Sequence, residues 1–134
     1  MSRVSFLRPM LADSPGRLSL RNLRNGRELA DNLIAAFDSS TRRTGLLGRD
    51  VFPEGSAMLI APSNAVHMFF MRFAIDVAFV ARDGRIVKTV HSLRPWRIAA
   101  AFGAFAVVEL PAGTLTRCDT AAGDTLSIQP AGQV

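Results

Sequence analysis

The feature that most constrains how this chain folds is a seven-residue apolar run, Ile75 to Ala81, with one acid inside it and an Asp-Gly pair just beyond. Its β-branched and aromatic residues suit a strand. A second run, Arg85 to Val90, follows Asp83-Gly84. Two such runs around Asp-Gly predict a β-hairpin, because a two-residue type I′ turn needs positive φ at both central positions. On the first strand Ile75, Val77 and Phe79 share one face, and Asp76, Ala78 and Val80 share the other. A strand apolar on both faces is expected to be covered on both. Asp76 then sits among apolar neighbours, where a carboxylate needs a cation or hydrogen-bond donors, or takes up a proton. Arg72 is the nearest candidate partner in sequence. A structural Asp76–Arg72 pair ranks ahead of a binding or acid–base role, since structural ion pairs also perturb pKa values.

The chain has 134 residues, 49% hydrophobic and 20% charged, which suits one domain with a true core. Fifteen of its sixteen basic residues are Arg. Such a bias can reflect genome composition, so a pI of 11.2 is weak support for nucleic-acid binding, which is not expected. Residues 1–49 hold nine Arg and four acids, whereas residues 50–134 hold seven of each sign. The surplus belongs to the N-terminal third and is read first as a solvated face. The single Cys118 excludes an internal disulfide. With two His and one Cys, a Cys/His zinc site is not expected. No signal peptide and no membrane-length apolar stretch are seen, so the expected location is the cytoplasm.

Residues 1–17 read as a flexible leader broken by Pro9 and Pro15-Gly16, residues 18–130 as one β-rich domain, and residues 131–134 as a frayed tail. Leu18 to Leu23 alternates, and Asn25-Gly26 signals a hairpin returning through residues 27–36. Asp38 to Ser40 offers helix caps for a short helix over about 41–47, which Gly48 can close. Arg42, Arg43 and Arg49 crowd there and are read as a solvated helix face rather than a ligand clamp. Further strands are expected over 57–61, 105–110 and 125–129. Pro95 makes 91–97 an edge or loop. The expectation is a mainly β fold, an antiparallel sandwich or small barrel of about seven to eight short strands, with one short helix near 40–47.

Several blocks carry a family resemblance: Arg43 to Arg49 (RTGLLGR), His67 to Val77, Asp83 to Val87, Leu93 to Trp96, Glu109 to Gly113 and Gly123-Asp124. In these the chain resembles the uncharacterised bacterial and archaeal family called domain of unknown function 192, from about Leu20 to Ile128. The resemblance implies a β-rich sandwich with a short helix, and it brings no reaction with it, because the family's activity is not established. Ala74 stands where the family usually has Pro. Many members carry a secretion signal or anchor, and none is seen here.

The polar and amphipathic members of these blocks are the candidate site: His67, Arg72, Asp76, Arg94, Trp96 and Glu109. Trp96 could stack on a ligand, Arg94 could hold an anionic or hydroxyl group, and Asp76 and Glu109 could accept hydrogen bonds. No metal or other cofactor is expected. A His67–Asp76–Glu109 cation site is weaker than a hydrogen-bonded packing His. Cys118 has nothing local to activate its thiol. Phe69, Phe70, Met71 and Phe73 are read as core. The leading functional expectation is a small non-enzymatic binding or accessory domain, with a polar and aromatic cleft for a small polar ligand such as a carbohydrate or an anion. The alternatives are a hydrolase using an Asp76–Glu109 carboxylate pair and a module that docks on another protein through the Arg-rich N-terminal face. Whether the chain is an enzyme is left open.

Overall fold

The computed structural model describes residues 5–12 and 16–131. It contains a 3₁₀ turn (Arg8–Leu11), strands β1 (Leu18–Asn22), β2 (Glu28–Ala30) and β3 (Asn32–Ala36), and helix α1 (Ser39–Thr44). Then come β4 (Ser56–Ile60), β5 (Ala65–His67), β6 (Ile75–Val80), β7 (Ile86–Leu93), β8 (Ile98–Ala100), β9 (Ala106–Pro111), α2 (Thr114–Arg117) and β10 (Leu126–Pro130). The fold is mainly β and sandwich-like, with no closed barrel. Ten strands are described where seven or eight were expected; the short β5 and β8 carry too few residues to show a periodicity.

A five-stranded sheet, in the order β3-β4-β9-β6-β7, is the spine. As expected, β6 is apolar on both faces and covered on both. Ala78 and Val80 join Leu59, Val108 and Leu110 on one side, packed against Leu20, Leu29, Leu126 and Ile128 of the second sheet, β10-β1-β2. Ile75, Val77 and Phe79 join Met58, Ile60 and Val107 on the other side. That second face is covered by Leu46 and Phe52, by Met68, Met71 and Phe73, and by Val66 and Ala99 of the β5–β8 ribbon.

Several local expectations change. The return strand over 27–36 is split at Asp31. Its first part pairs with β1, and its second part leaves for the other sheet to pair in parallel with β4. The Asn25-Gly26 link is a longer turn in which only Gly26 takes positive φ. The Asp83-Gly84 hairpin exists, but its turn is not type I′. Gly84 N–H bonds to the Ala81 carbonyl, and only Gly84 has positive φ, the pattern of a type I turn closed by a left-handed residue. Helix α1 stops at Thr44, because Gly45, not Gly48, turns the chain and bonds back to the Thr41 carbonyl. It begins at Ser39 rather than at about 41, with its cap among the residues offered for it: the Asp38 carboxylate accepts from Thr41 N–H, and Thr41 Oγ1 accepts from Asp38 N–H.

Of the stretch expected to be a leader, residues 1–4 and 13–15 lie outside the described residues. Residues 5–12 lie against the domain, with Leu7 buried and Phe6 N–H bonded to the Arg82 carbonyl. Residues 132–134 of the expected tail are also outside the described residues.

Candidate functional site

The two acids inside apolar strands have opposite fates. Asp76 is 0% exposed and points to the β1–β2–β10 side of the spine. Its Oδ1 accepts from Ser92 N–H at 2.9 Å, and its Oδ2 accepts from Gly113 and Leu115 N–H at 3.1 and 3.0 Å. A bulge in β7 turns Ser92 into left-handed backbone and aims its N–H inward. The other two donors come from the first turn of α2. Asp76 is thus neutralised by backbone dipoles, not by Arg72, which pairs with the exposed Asp50. It ties β7 and α2 to the spine and faces no cavity.

Glu109 lies on the other face. In the β6–β9 register it stands opposite Val77, whereas Asp76 stands opposite Leu110. Partners across an antiparallel ladder share a face and neighbours along a strand do not, so the two carboxylates are on opposite sides of one sheet. They form no catalytic pair and share no cation. Among the described residues no three His, Cys, Asp or Glu side chains come together.

Glu109 is 4% exposed and sits in a cavity of about 170 Å³. The cavity runs between α1 with its following turn and all three residues of β5. Arg42, Arg43, Gly45 and Leu47 form one wall, and Ala65, Val66 and His67 form the other. Ile60 and Met71 add apolar surface. No donor among the described residues reaches the Glu109 carboxyl, and burial alone pushes its pKa up to about 7. Near neutrality it is therefore an acid poised between its two forms, able to donate or to accept. Arg42 is partly committed to the backbone, since its guanidinium donates to the Phe37 carbonyl at 2.7 Å and the Ala61 carbonyl at 3.4 Å. Arg43 is exposed and has no acidic partner among the described residues.

Of the six expected site residues, His67 and Glu109 meet at this cavity. Arg72, Asp76, Arg94 and Trp96 do not line it. His67 also stacks on Phe69, at 5.0 Å between ring centroids. Phe69 and Phe70 each pack against Trp96, at 6.0 and 4.8 Å. Phe69 and Phe70, expected in the core, are exposed; Met71 is buried and Phe73 half-buried. Arg42 and Arg43 were passed over as a solvated face. The signal that could have found Arg43 was its place beside Gly45 in the block carrying the family resemblance; Arg42 lies just before that block.

The comparisons with known proteins bear on the family and the fold. The profile of the family described as "Uncharacterized ACR", domain of unknown function 192, matches residues 21–128. The chain belongs to that family. No curated protein matches it significantly. A crystal structure from Sinorhizobium meliloti 1021, provisionally described as a transcription regulator, is 28% identical, with a TM-score of 0.72 over 83% of this chain and 91% of that one. A protein of unknown function from Novosphingobium aromaticivorans DSM 12444 is 21% identical, with a TM-score of 0.72 over 86% of this chain and 88% of that one. This second likeness bears on the fold alone. No helix of the described residues is long and apolar enough to cross a membrane.

Proposed function

We propose that this member of the family is a binding domain for a small polar ligand, held between α1 and β5 with Glu109 at its base. The observation that carries this reading is the Glu109 carboxyl, 4% exposed at the base of a cavity and without a hydrogen-bond partner among the described residues. A ligand hydroxyl or amino group would supply the hydrogen-bond partner that the described residues do not. Arg42 and Arg43 at the wall suit an anionic group on the same ligand, and His67 supplies a further donor or acceptor. The cavity is smaller than a drug-sized site, so a sugar acid, a sugar phosphate or a small hydroxy acid fits the chemistry. Trp96 and Arg94, expected at the ligand, are assigned no part in this pocket.

A thermal-shift panel of monosaccharides, sugar acids, sugar phosphates and hydroxy acids tests the reading. A ligand at a hundred times its Kd stabilises the native state by about 2.7 kcal/mol, a shift on the order of 10 °C for a chain of this length. The expected result is a shift of that kind in the wild type and its loss in a folded Glu109→Gln variant. A panel without a shift, or an equal shift in the variant, counts against this pocket.

A further inference from the structure

The strongest unexplained feature outside the pocket is a pair of turns that display aromatic rings. In Arg94-Pro95-Trp96-Arg97, the Arg97 N–H bonds to the Arg94 carbonyl, Pro95 holds the second position and Trp96 has φ 72° at the third. In Met68-Phe69-Phe70-Met71, the Met71 N–H bonds to the Met68 carbonyl, and Phe70 has φ 65° at the third. Positive φ at the third position is the type II pattern, which Gly or Asn normally fills. A bulky residue there is strained by roughly 1–3 kcal/mol. Two neighbouring turns carry this strain, and each uses it to present a ring: Phe70 is 72% exposed and Trp96 59%. The turns are clipped together by Trp96 N–H to the Met68 carbonyl and Met68 N–H to the Arg97 carbonyl.

The display continues along β8. Ala99 and Ala101 pack inward. Trp96, Ile98, Ala100 and Phe102 alternate with them, and all four are exposed. Phe102, at 103%, stands clear of every neighbour. Ile98 is registered opposite His67 and Ala100 opposite Ala65 on β5. The outer face of the ribbon is therefore an apolar surface with nothing described on it.

Charge decides between occupants. Residues 55–75 and 84–108, which supply this surface, contain no Asp or Glu; Asp76 and Asp83 lie between the two ranges. Their exposed cations are Arg72, Arg85, Lys88, Arg94 and Arg97. Only Arg72 has an acidic partner, Asp50, among the described residues. A second copy docked through the same face would oppose cation to cation on a chain of net charge +5. Projecting rings, rather than a groove, also suit a soft surface that needs no matching contour. Amphipathic aromatic rings and Arg or Lys side chains are the residues that anchor at a lipid–water boundary.

We infer that the β5–β8 ribbon and its two aromatic turns dock this protein peripherally on an anionic phospholipid bilayer, through Phe70, Trp96, Ile98 and Phe102 with Arg94, Arg97 and Lys88 around them. The only tryptophan of the chain lies in the docking surface and reports on it. The test uses vesicles of phosphatidylcholine, alone or mixed with phosphatidylglycerol, read by co-sedimentation and Trp96 emission. Binding to the phosphatidylglycerol vesicles is expected, with a blue-shifted emission and a dependence on salt. The double variant Phe70→Ser/Phe102→Ser keeps the reporter, and its unchanged melting temperature shows that it folds. Its partitioning should fall by about tenfold or more. The inference is overturned by no co-sedimentation, by equal binding to neutral vesicles, or by a variant that binds like the wild type. It is equally overturned if the variant instead abolishes a concentration-dependent dimer, or if duplex DNA is retained and vesicles are not.

Discussion

Asp76 and Glu109 show how one residue type in one kind of strand acquires two roles. Each is an acid in an apolar run, and each is withdrawn from water. Asp76 accepts from three backbone N–H donors, which bind it into the fold away from the Glu109 cavity. Asp76→Ala strands those three amides in a dry site and should cost roughly 3–5 kcal/mol. A urea midpoint equal to that of the wild type would show that the carboxylate is not what ties β7 and α2 to β6. Glu109 meets no donor, and burial raises its pKa from 4.5 to about 7. The sign follows directly. Below pH 4.5 both the folded and unfolded forms hold the proton, and the group contributes no penalty. Between 4.5 and 7 the unfolded chain ionises while the native state keeps its proton, so stability falls as pH rises. The loss levels off above pH 7 at about 3 kcal/mol. Urea unfolding over this range should therefore give a falling profile for the wild type relative to Glu109→Gln. Parallel profiles would mean that the carboxyl is better solvated than its burial implies.

At the scale of elements, the hairpin tip between β6 and β7 does more than reverse the chain. Gly84 N–H closes the turn, its carbonyl accepts from Leu126 N–H of β10, and Ile86 N–H donates to the Asp124 carbonyl. Arg85 bridges Thr125. The spine sheet is thereby stitched at one corner to the strand that belongs to the other sheet. Gly84 has φ 96°, and a Cβ there would collide with the Leu126 carbonyl oxygen. Gly84→Ala should lose at least roughly 2 kcal/mol, from strained backbone and from the displaced β10. Thermal unfolding measures it; a loss of only a few tenths would show that β10 can step back freely. The aromatic turns follow a different logic. There the backbone is strained with no Cβ-free residue to relieve it, so the strain serves the presentation of the side chain.

Across the whole molecule, the spine sheet is the shared wall of two cores, so neither face can be lost without exposing the other. Its outer supports are unequal. The β1–β2–β10 face is closed by a second sheet and by a polar clasp in which Asp124 accepts from Arg24, Asn22 and Ala121 N–H. The hydrogen bond from Arg24 chiefly holds the Asp124 carboxyl down, at a pKa of about 2. The clasp also accounts for part of the basic surplus in the first third of the chain. Arg17 and Arg24 pair with Asp31 and Asp124, Arg21 lies 3.6 Å from Glu28, and Arg27 and Arg42 bind carbonyls. Five of the nine Arg of residues 1–49 therefore have partners within the fold. The opposite face is closed by one short ribbon and several loops, and both the Glu109 cavity and the apolar display lie there. Both proposed sites thus lie where the cover is thinnest, in keeping with the general tendency of binding residues to sit on loops held by a rigid scaffold.

Local pattern alone determined the β-rich class, the two-faced β6, an α1 cap within Asp38 to Ser40 and the burial of Asp76. Each of these depends on neighbours within a few residues, where side-chain period and backbone sterics act. The family resemblance, resting on ordered blocks along the chain, was likewise legible. Tertiary structure alone decided that Asp76 and Glu109 lie back to back, because a face is assigned by strand register and not by spacing along the chain. It also decided that residues 27–36 divide between two sheets, that Arg42 and Arg43 wall a cavity, and that Phe69, Phe70 and Trp96 face outward. An aromatic side chain reads as core from composition, and only the positive φ of its turn, set by contacts between two distant segments, turns it toward solvent.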